Sequence, residues 1–203
     1  MEHKRRTQAE RSAATRTALV AAARGLWAAR GYGAVGTPEI ATAAGVTRGA
    51  MYHQFADKTA LFSAVAEAVE GDVTQRLMQQ VAASGATEPA GALHAAVDAW
   101  LDACEDEEVR RILLLDAPAV LGWAAWRDLT LRYGLGMTEA LLQAAMDAGR
   151  LTARPTRPLA HVLIGAMDEA AMVMATAEDR AAARAEVAAV LHDLLDGLLD
   201  QSP

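Results

Sequence analysis

Apolar side chains recur at intervals of three and four residues through most of the chain, a spacing that is typical of amphipathic helices. Alternating runs of β-branched residues, which would favour strands, are nearly absent. The pattern predicts long helices over residues 11–30, 58–84, 88–104, 106–115, 118–149 with a bend, 156–176 and 179–200. We therefore expect an all-α fold with a large helical core.

Residues 37–57 carry the end signals of two shorter helices. Thr37 is a hydroxyl N-cap followed by a proline, the residue best tolerated at the first helical position. Gly45 is placed to end that helix in a left-handed conformation, and Thr47 is a second N-cap. Asp57 then caps the long helix that follows. Two short helices joined by a tight turn and followed by a third form the layout of a DNA-binding helix-turn-helix.

Charge divides the chain into two unlike parts. Residues 1–60 hold nine Lys or Arg and four acidic residues, a net charge of +5, whereas the rest of this −7 chain carries −12. A basic head on an acidic body is expected of a DNA-binding domain joined to a second soluble domain. Residues 1–10 are polar and without periodicity, so they predict a flexible basic arm, which either touches DNA or is a solvated tail.

The order of residues 45–62, GVTRGAMYHQFADKTALF, is more particular than the helix pattern. It resembles the recognition-helix region of TetR-like transcriptional regulators, in which Gly, Val, a capping Thr or Ser, a small residue, Tyr, Phe and an Asp-Lys pair recur at these spacings. The resemblance covers residues 11–62 well and the remainder by length and helical character. It implies a helix-turn-helix DNA-binding domain over residues 11–62 and an effector-binding and dimerisation domain over residues 63–203.

The same resemblance implies a sequence-specific transcriptional regulator that is not an enzyme. Such a protein is expected to be a ligand-responsive repressor that binds a (pseudo)palindromic double-stranded DNA operator as a homodimer in the cytoplasm. The alternative is a helical small-molecule-binding or enzymatic protein whose helix-turn-helix is vestigial. The two differ in one property, because only the regulator should bind duplex DNA in a salt-sensitive way.

By similarity to the family pattern, the DNA contacts fall on the second short helix and its flanks. Arg48 suits guanine O6 and N7, and Ala50 suits a thymine methyl group. His53 departs from the aromatic residue often found beside the tyrosine, and Tyr52 has the alternative of being a core residue. The predicted phosphate contacts are Thr37, Thr47, Tyr52, Gln54 and Lys58, and the predicted base contacts are Arg48, Gly49, Ala50 and His53.

The body holds residues suited to an apolar cavity with a few orienting polar groups. The resemblance implies a small apolar or cationic effector there, while the alternative for each side chain is ordinary core packing. The predicted lining is Trp100, Trp123, Trp126, Met137, Met167, Met172 and Met174, with Asp116, His161 and Asp168 as polar groups.

The last helix carries a broad apolar stripe, which suggests more than one packing partner. The resemblance implies that the last two long helices pair with their copies in a four-helix bundle, and the alternative is burial inside one subunit. The predicted interface residues are Leu163, Met167, Val187, Val190, Leu191, Leu194, Leu195 and Leu198.

Several other chemistries are excluded or disfavoured. The glycines of residues 31–36 spell G-x-G-x-x-G, but a helix rather than a strand precedes them, so no dinucleotide site is expected. The scattered histidines predict neither a metal site nor a catalytic site, and we expect no cofactor. Cys104 is the only cysteine, which rules out an intrachain disulfide. No signal peptide opens the chain, and the apolar region 112–126 is too interrupted to cross a membrane.

Overall fold

A computed structural model describes residues 7–199, and those residues contain helices and no strand, which confirms the all-α prediction. The helices are α1 (Gln8–Arg30), α2 (Thr37–Ala43), α3 (Arg48–Gln54), α4 (Lys58–Ala83), α5 (Pro89–Glu105), α6 (Glu107–Val109), a π-helix (Arg110–Asp116), α7 (Ala117–Leu121), α8 (Trp123–Asp147), α9 (Thr156–Thr176) and α10 (Arg180–Leu199). We call α1–α3 the head and the elements from α5 to α10 the body. The long α4 runs from one to the other.

The first helix begins earlier than its apolar pattern predicts. The Thr7 hydroxyl accepts a hydrogen bond from the Glu10 backbone N–H at 3.2 Å, and the Glu10 carboxylate accepts one from the Thr7 N–H at 2.7 Å. This reciprocal pair is a capping box, and it starts α1 at Gln8. Residues 8–10 are therefore helical rather than part of an arm. The rest of the predicted arm, residues 1–6, lies outside the described residues.

An aromatic cluster fixes the head on the start of α4. Trp27 and Phe62 are fully buried, with ring centroids 5.2 Å apart, and the ring of Tyr32 stands edge-on to Phe62 at 5.1 Å. Met51 of α3 is also fully buried. Because α1, the loop after it and α4 all contribute to one apolar cluster, the short α3 has a rigid support that its own length could not supply.

The segment that follows α5 departs from the predicted pair of helices. In place of a helix over residues 106–115 there are the short α6 and a π-helix, and Pro118 then lies in the first turn of α7. Proline has no N–H to donate to the preceding turn, so one helical register ends and another begins there. The bend predicted in residues 118–149 is a complete break at Gly122, whose φ of 81° lies in the left-handed region that favours glycine.

The π-helix segment also ties the head to the body. The Asp116 carboxylate accepts a hydrogen bond from the Tyr32 backbone N–H at 2.7 Å. On α6, just before the π-helix, Glu108 receives two hydrogen bonds from the Arg24 guanidinium, at 2.8 and 2.6 Å, and the same guanidinium reaches Asp72 on α4 at 2.5 Å. The position of the head is therefore set by contacts from two separate parts of the chain.

Helix α9 occupies the middle of the body, where it packs against α5, α8, α10 and the π-helix. Its 21 residues are long and apolar enough to cross a membrane by length and composition. The core helix of a soluble protein meets the same two criteria, and α9 packs against four other elements, so this single helix is weak evidence of a membrane span.

Candidate nucleic-acid interface and interior cavity

Helix α3 presents a polar face to solvent. Its N-terminus is capped as predicted, since the Thr47 hydroxyl accepts a hydrogen bond from the Ala50 N–H at 3.1 Å. Met51 and, just past the helix end, Phe55 are buried against the head, with exposures of 0% and 4%. The residues on the opposite side of α3 are free to meet a partner. The exposed residues there are Arg48, Gly49, Tyr52 and His53, and Ala50 is half-buried beside them.

Tyr52 is a surface residue, so the alternative of a core tyrosine is wrong. It is 41% exposed, and the Arg48 guanidinium lies 5.6 Å from its ring centroid. Its hydroxyl is 3.3 Å from the Thr37 hydroxyl, and this bond, with Arg48 nearby, lowers the pKa of the phenol. Thr37 is not an N-cap as predicted, because the cap position of α2 is Gly36, which makes no side-chain bond. The Thr37 hydroxyl instead links the start of α2 to α3.

Two of the predicted phosphate contacts have partners inside the head. The Gln54 amide donates a hydrogen bond to the Ser12 hydroxyl at 2.8 Å. The Lys58 ammonium donates to the Tyr32 carbonyl at 2.6 Å and lies 3.8 Å from the centroid of the Tyr32 ring. Partial burial lowers the pKa of Lys58. Gln54 therefore links α3 to α1, and Lys58 links α4 to the α1–α2 loop and adds a positive charge near the end of α3.

A cavity with about 440 Å³ of empty space, part of it open to solvent, lies between α4, α5, α8 and α9. Four of the predicted pocket residues meet there: Trp100, Met137, Met167 and Asp168. The other lining residues were not predicted, and they are Glu70, Val73, Thr74, Leu77, Thr130, Gly134, Thr138 and Ile164. Among residues 7–199 no group of three or more His, Cys, Asp or Glu side chains is arranged to hold a metal ion.

One carboxylate of the cavity has a counter-charge. The Arg127 guanidinium donates a hydrogen bond to the Asp168 carboxylate at 2.6 Å and a second one to the His161 carbonyl at 3.0 Å. The Asp168 side chain is only 7% exposed. Burial raises the pKa of Asp168 to about 6, although the ion pair with Arg127 opposes the shift.

The other carboxyl group, that of Glu70, has no such partner. Glu70 is 6% exposed, and it makes no hydrogen bond or ion pair within residues 7–199. Burial, with a smaller contribution from nearby Asp168, raises its pKa to about 8. Sequence reasoning missed this residue, although a signal was present. Glu70 falls on the buried stripe of α4 at the spacing of Ala66, Val73 and Leu77, where an apolar residue is expected.

The remaining predicted pocket residues lie elsewhere, which corrects the prediction of one cavity. Trp126 and Met172 line a separate surface groove with Trp123, which is 68% exposed. Asp116 faces the head, where it binds the Tyr32 N–H described above. His161 does not line the cavity, and its carbonyl is bonded to Arg127. Met174 is buried near Cys104. An apolar pattern indicates that such side chains are buried, but it does not indicate which of them share a void.

The predicted interface residues fall into three groups, which are buried, half-buried and exposed. Leu191 and Leu195 are buried inside the subunit, and they border a second apolar cleft that also touches Leu163, Met167 and Leu194. Val187 and Leu198 are half-buried. Val190 and Leu194 are exposed by 58% and 56%, and Val162 and Val173 of α9 are exposed by 67% and 45%. The α9–α10 side of the body therefore leaves large apolar side chains in contact with solvent.

Comparison with known families gives a match at each end of the chain. Residues 19–65 match the family described as bacterial regulatory proteins, tetR family. Residues 90–198, more than half of the chain, match the family described as tetracyclin repressor-like, C-terminal domain. The first matched segment contains α3, and the second contains the cavity lining from α5, α8 and α9, whereas the lining from α4 lies between the two segments.

Individual relatives agree with both matches. A TetR-family transcriptional regulator from Pectobacterium atrosepticum is 32% identical, with a TM-score of 0.84 over 98% of this chain and 100% of the other. The transposon Tn10 TetC protein of Escherichia coli is 28% identical over 81% of this chain and 82% of its own length. The HTH-type transcriptional regulator CymR of Pseudomonas putida is 40% identical over 40% of each chain. RolR in complex with resorcinol shares the fold, with 21% identity and a TM-score of 0.74 over 96% of this chain and 97% of its own.

Proposed function

The chain belongs to the TetR family of DNA-binding transcriptional regulators, and we propose that it is a homodimeric cytoplasmic repressor that a small molecule releases from its operator. The observation that carries the proposal is the polar face of α3. A seven-residue helix has little stability of its own, yet here it is capped, pinned by Met51 and left open on its other side. This is the arrangement needed to insert a helix into the major groove.

The roles of individual residues follow from their exposure. Arg48 lies at the N-terminus of α3, where recognition helices meet base edges, and a guanidinium can form two hydrogen bonds to guanine. Tyr52, linked to Thr37, and the capping Thr47 offer hydroxyl groups to phosphates. Gly49, Ala50 and His53 complete the surface that faces the bases, with a small side chain at two of the three positions. Gln54 and Lys58 act chiefly by positioning α3, and Lys58 also adds to the positive field.

The exposed apolar surface of α9 and α10 supports the homodimer. Val162, Val173, Val190 and Leu194 would each lose unfavourable contact with water if a second copy covered them. A two-fold axis pairs each helix with its own copy, so one apolar surface serves as both sides of the interface. Two heads related by that axis would read two half-sites of a palindromic operator.

The cavity and α4 together suggest how a ligand would act. Helix α4 lines the cavity through Glu70, Val73 and Leu77, and its first turn carries Lys58, which holds the loop behind α3. A ligand that binds more tightly to one tilt of α4 would shift the population of head positions and so weaken the contact with one half-site. The structural relative RolR was solved with the small aromatic molecule resorcinol, so this fold can hold a ligand of that size.

The test is selection of bound duplexes from fragmented genomic DNA with the full-length protein, followed by affinity measurements at several salt concentrations. We expect one enriched site with two-fold symmetry. A dimer that makes about 6 to 10 phosphate contacts should lose on the order of 10³ to 10⁵ in affinity between about 50 and 200 mM salt. Binding that selects no sequence and ignores salt would instead support a small-molecule-binding protein with a vestigial head.

A further inference from the structure

The interior cavity contains more negative groups than positive ones. Glu70 and Asp168 both line it, and Arg127 is the guanidinium beside them. Arg127 pairs with Asp168 rather than with Glu70, because it donates to the Asp168 carboxylate from one nitrogen and to the His161 carbonyl from another. No cation within the described residues 7–199 is left to pair with Glu70.

The groups that face Glu70 from the neighbouring helices do not supply the missing charge. Asp168 on α9 is itself a carboxyl group, and Cys104 on α5 is a buried thiol whose pKa is raised by burial. Tyr133 on α8 is a phenol whose pKa is also raised by burial. One turn earlier on α4, Glu67 points to the surface and pairs with Arg132. A carboxyl group buried without a partner is costly to ionise, and a cation that enters the cavity would stabilise its ionised form.

The hydrogen-bond donors of the lining are largely occupied. The Trp100 indole N–H donates to the Met167 carbonyl at 3.2 Å. The Thr130 and Thr138 hydroxyls donate to carbonyls one turn back on α8, at 3.3 and 3.0 Å. The Thr74 hydroxyl remains. What the cavity offers is therefore mainly acceptors: the Glu70 carboxylate and hydroxyl lone pairs, set among apolar side chains and the ring of Trp100. An aromatic ring of this kind also attracts a cation.

We infer that the cavity selects a small organic cation, an amine or quaternary ammonium compound with an apolar body, whose positive charge pairs with Glu70. An anion would meet two carboxyl groups and few free donors, and a neutral ligand would not gain the ion pair that Glu70 can form. The inference rests on the proposed function in one respect, since it names the chemical class of the proposed effector. Binding itself can be measured without DNA.

The raised pKa of Glu70 gives this binding a pH dependence. With a pKa of about 8, Glu70 is mostly protonated at neutral pH when the cavity is empty. A cation favours the ionised form, so its binding releases a proton. The affinity for a ligand of fixed charge should rise by up to about tenfold for each pH unit up to pH 8 and level off above it. Below about pH 6 the protonation of Asp168 would weaken binding further.

The experiment is calorimetric titration of the full-length protein with benzyltrimethylammonium, whose charge does not change with pH, and with benzyl alcohol as a neutral probe. Glu70→Gln removes the charge and keeps the shape, and Glu67→Gln is the matched control on the outer side of α4. At pH 8 we expect the cation to bind at least about tenfold more tightly than the alcohol. Glu70→Gln should lose that preference, and Glu67→Gln should keep it.

The inference is overturned if the alcohol binds as tightly as the cation, or if Glu70→Gln retains the cation. Should Glu70→Gln fail to fold by circular dichroism, the wild-type titrations at pH 6, 7, 8 and 9 decide, because an affinity for the cation that stays flat over this range also overturns it. Duplex binding by the same preparations separates the two proposals. If the wild-type protein binds its operator but shows no preference for the cation, only the inferred class of effector is wrong. If the wild-type protein binds no operator, the proposed function as a regulator is wrong.

Discussion

The head has charged residues in solvent, whereas some of the charged residues in the rest of the protein lie in its interior. In the head, Arg48 lies in solvent beside the ring of Tyr52. Between α4 and the body, Glu70 and Asp168 lie inside, with a few per cent of their surface exposed. The overall charges of +5 for residues 1–60 and −12 for the rest therefore differ in their accessibility as well as in their sign. The positive charge is available to a partner at the surface, and part of the negative charge is available only to something that enters the protein.

Exposure also decides how each charge acts. A charge in solvent attracts phosphates at a distance and is screened by salt, so its effect appears in affinity and in salt dependence. A buried carboxyl group is not screened in this way, and its effect appears in its pKa and in the free energy of unfolding. The head and the body should consequently respond to different variables, salt for the one and pH for the other.

The largest expected effect comes from the body's exposed apolar surface, which we propose to be the interface between two copies of the chain. Leu194→Asp would place a carboxylate in the proposed subunit interface, and we expect monomers in sedimentation experiments. Because two linked half-site contacts gain on the order of 10² to 10⁴ over one, operator affinity should fall by a similar factor. Asp193→Ala, at the exposed neighbouring position, should change neither quantity. A Leu194→Asp protein that still sediments as a dimer would place the interface elsewhere.

The buried ion pair provides the next largest effect. Arg127→Ala would leave the Asp168 carboxyl group buried without its partner, and we expect unfolding in urea to require about 3 to 5 kcal/mol less. Arg132→Ala is the control on the same helix, because its 56% exposed side chain makes only surface ion pairs, which contribute little to stability. Asp168→Asn added to Arg127→Ala should restore part of the loss. If Arg127→Ala and Arg132→Ala lose the same stability, the ion pair between Arg127 and Asp168 is not effectively buried.

Glu70 should make the stability of the whole protein fall as pH rises. Its pKa is raised from 4.5 to about 8 in the folded state. The unfolded chain therefore loses this proton at lower pH than the folded one, and the contribution to stability declines between those values and is constant above them. Glu70→Gln removes this decline. From pH 6 to pH 8, the free energy of unfolding of the variant should therefore rise by about 2 to 3 kcal/mol relative to that of the wild type. Urea unfolding at each pH measures the difference, and parallel curves would contradict the assignment.

The smallest effects concern the head, where Arg48 and Lys58 can be compared on a randomised operator library. Arg48→Ala should lose about 1 to 3 kcal/mol at one base pair and little elsewhere. Lys58→Ala should weaken all sequences about equally, and it should also destabilise the protein by about 1 kcal/mol, because the bond to the Tyr32 carbonyl is lost. If both variants lose affinity equally for all sequences, the prediction that Arg48 contacts a base is wrong.

The head was the more predictable of the two regions, because local rules determine its structure. Thr47 caps α3 and Asp57 caps α4 through hydrogen bonds with backbone N–H groups three residues away. Such pairs can be recognised from the local sequence. The capping box from Thr7 to Glu10 follows the same rule and was overlooked. The exception in the head is Thr37, whose hydroxyl bonds to Tyr52, fifteen residues away, rather than to its own helix.

The cavity could not be predicted in the same way, because it depends on which helices meet. Trp100 and Asp168 come from different helices, and their distance depends on packing rather than on sequence spacing. Trp123 shows the limit of residue type as a guide, since a large aromatic side chain at that position is mostly exposed. Glu70 was within reach, because an acidic residue on an apolar stripe is an inconsistency that signals either a partner or a function.

The bonds from Asp116 to the Tyr32 backbone and from Glu108 to Arg24 bear on attempts to build chimeric regulators from this protein. Joining its head to a relative's body immediately after α3 would separate both pairs and leave the Tyr32 N–H without its acceptor. The transferable unit is not a continuous N-terminal block. It consists of two discontinuous segments, residues 7–83 and 106–116, and a graft that carries both would keep the contacts that position the head when it is joined to another regulator's ligand-binding domain.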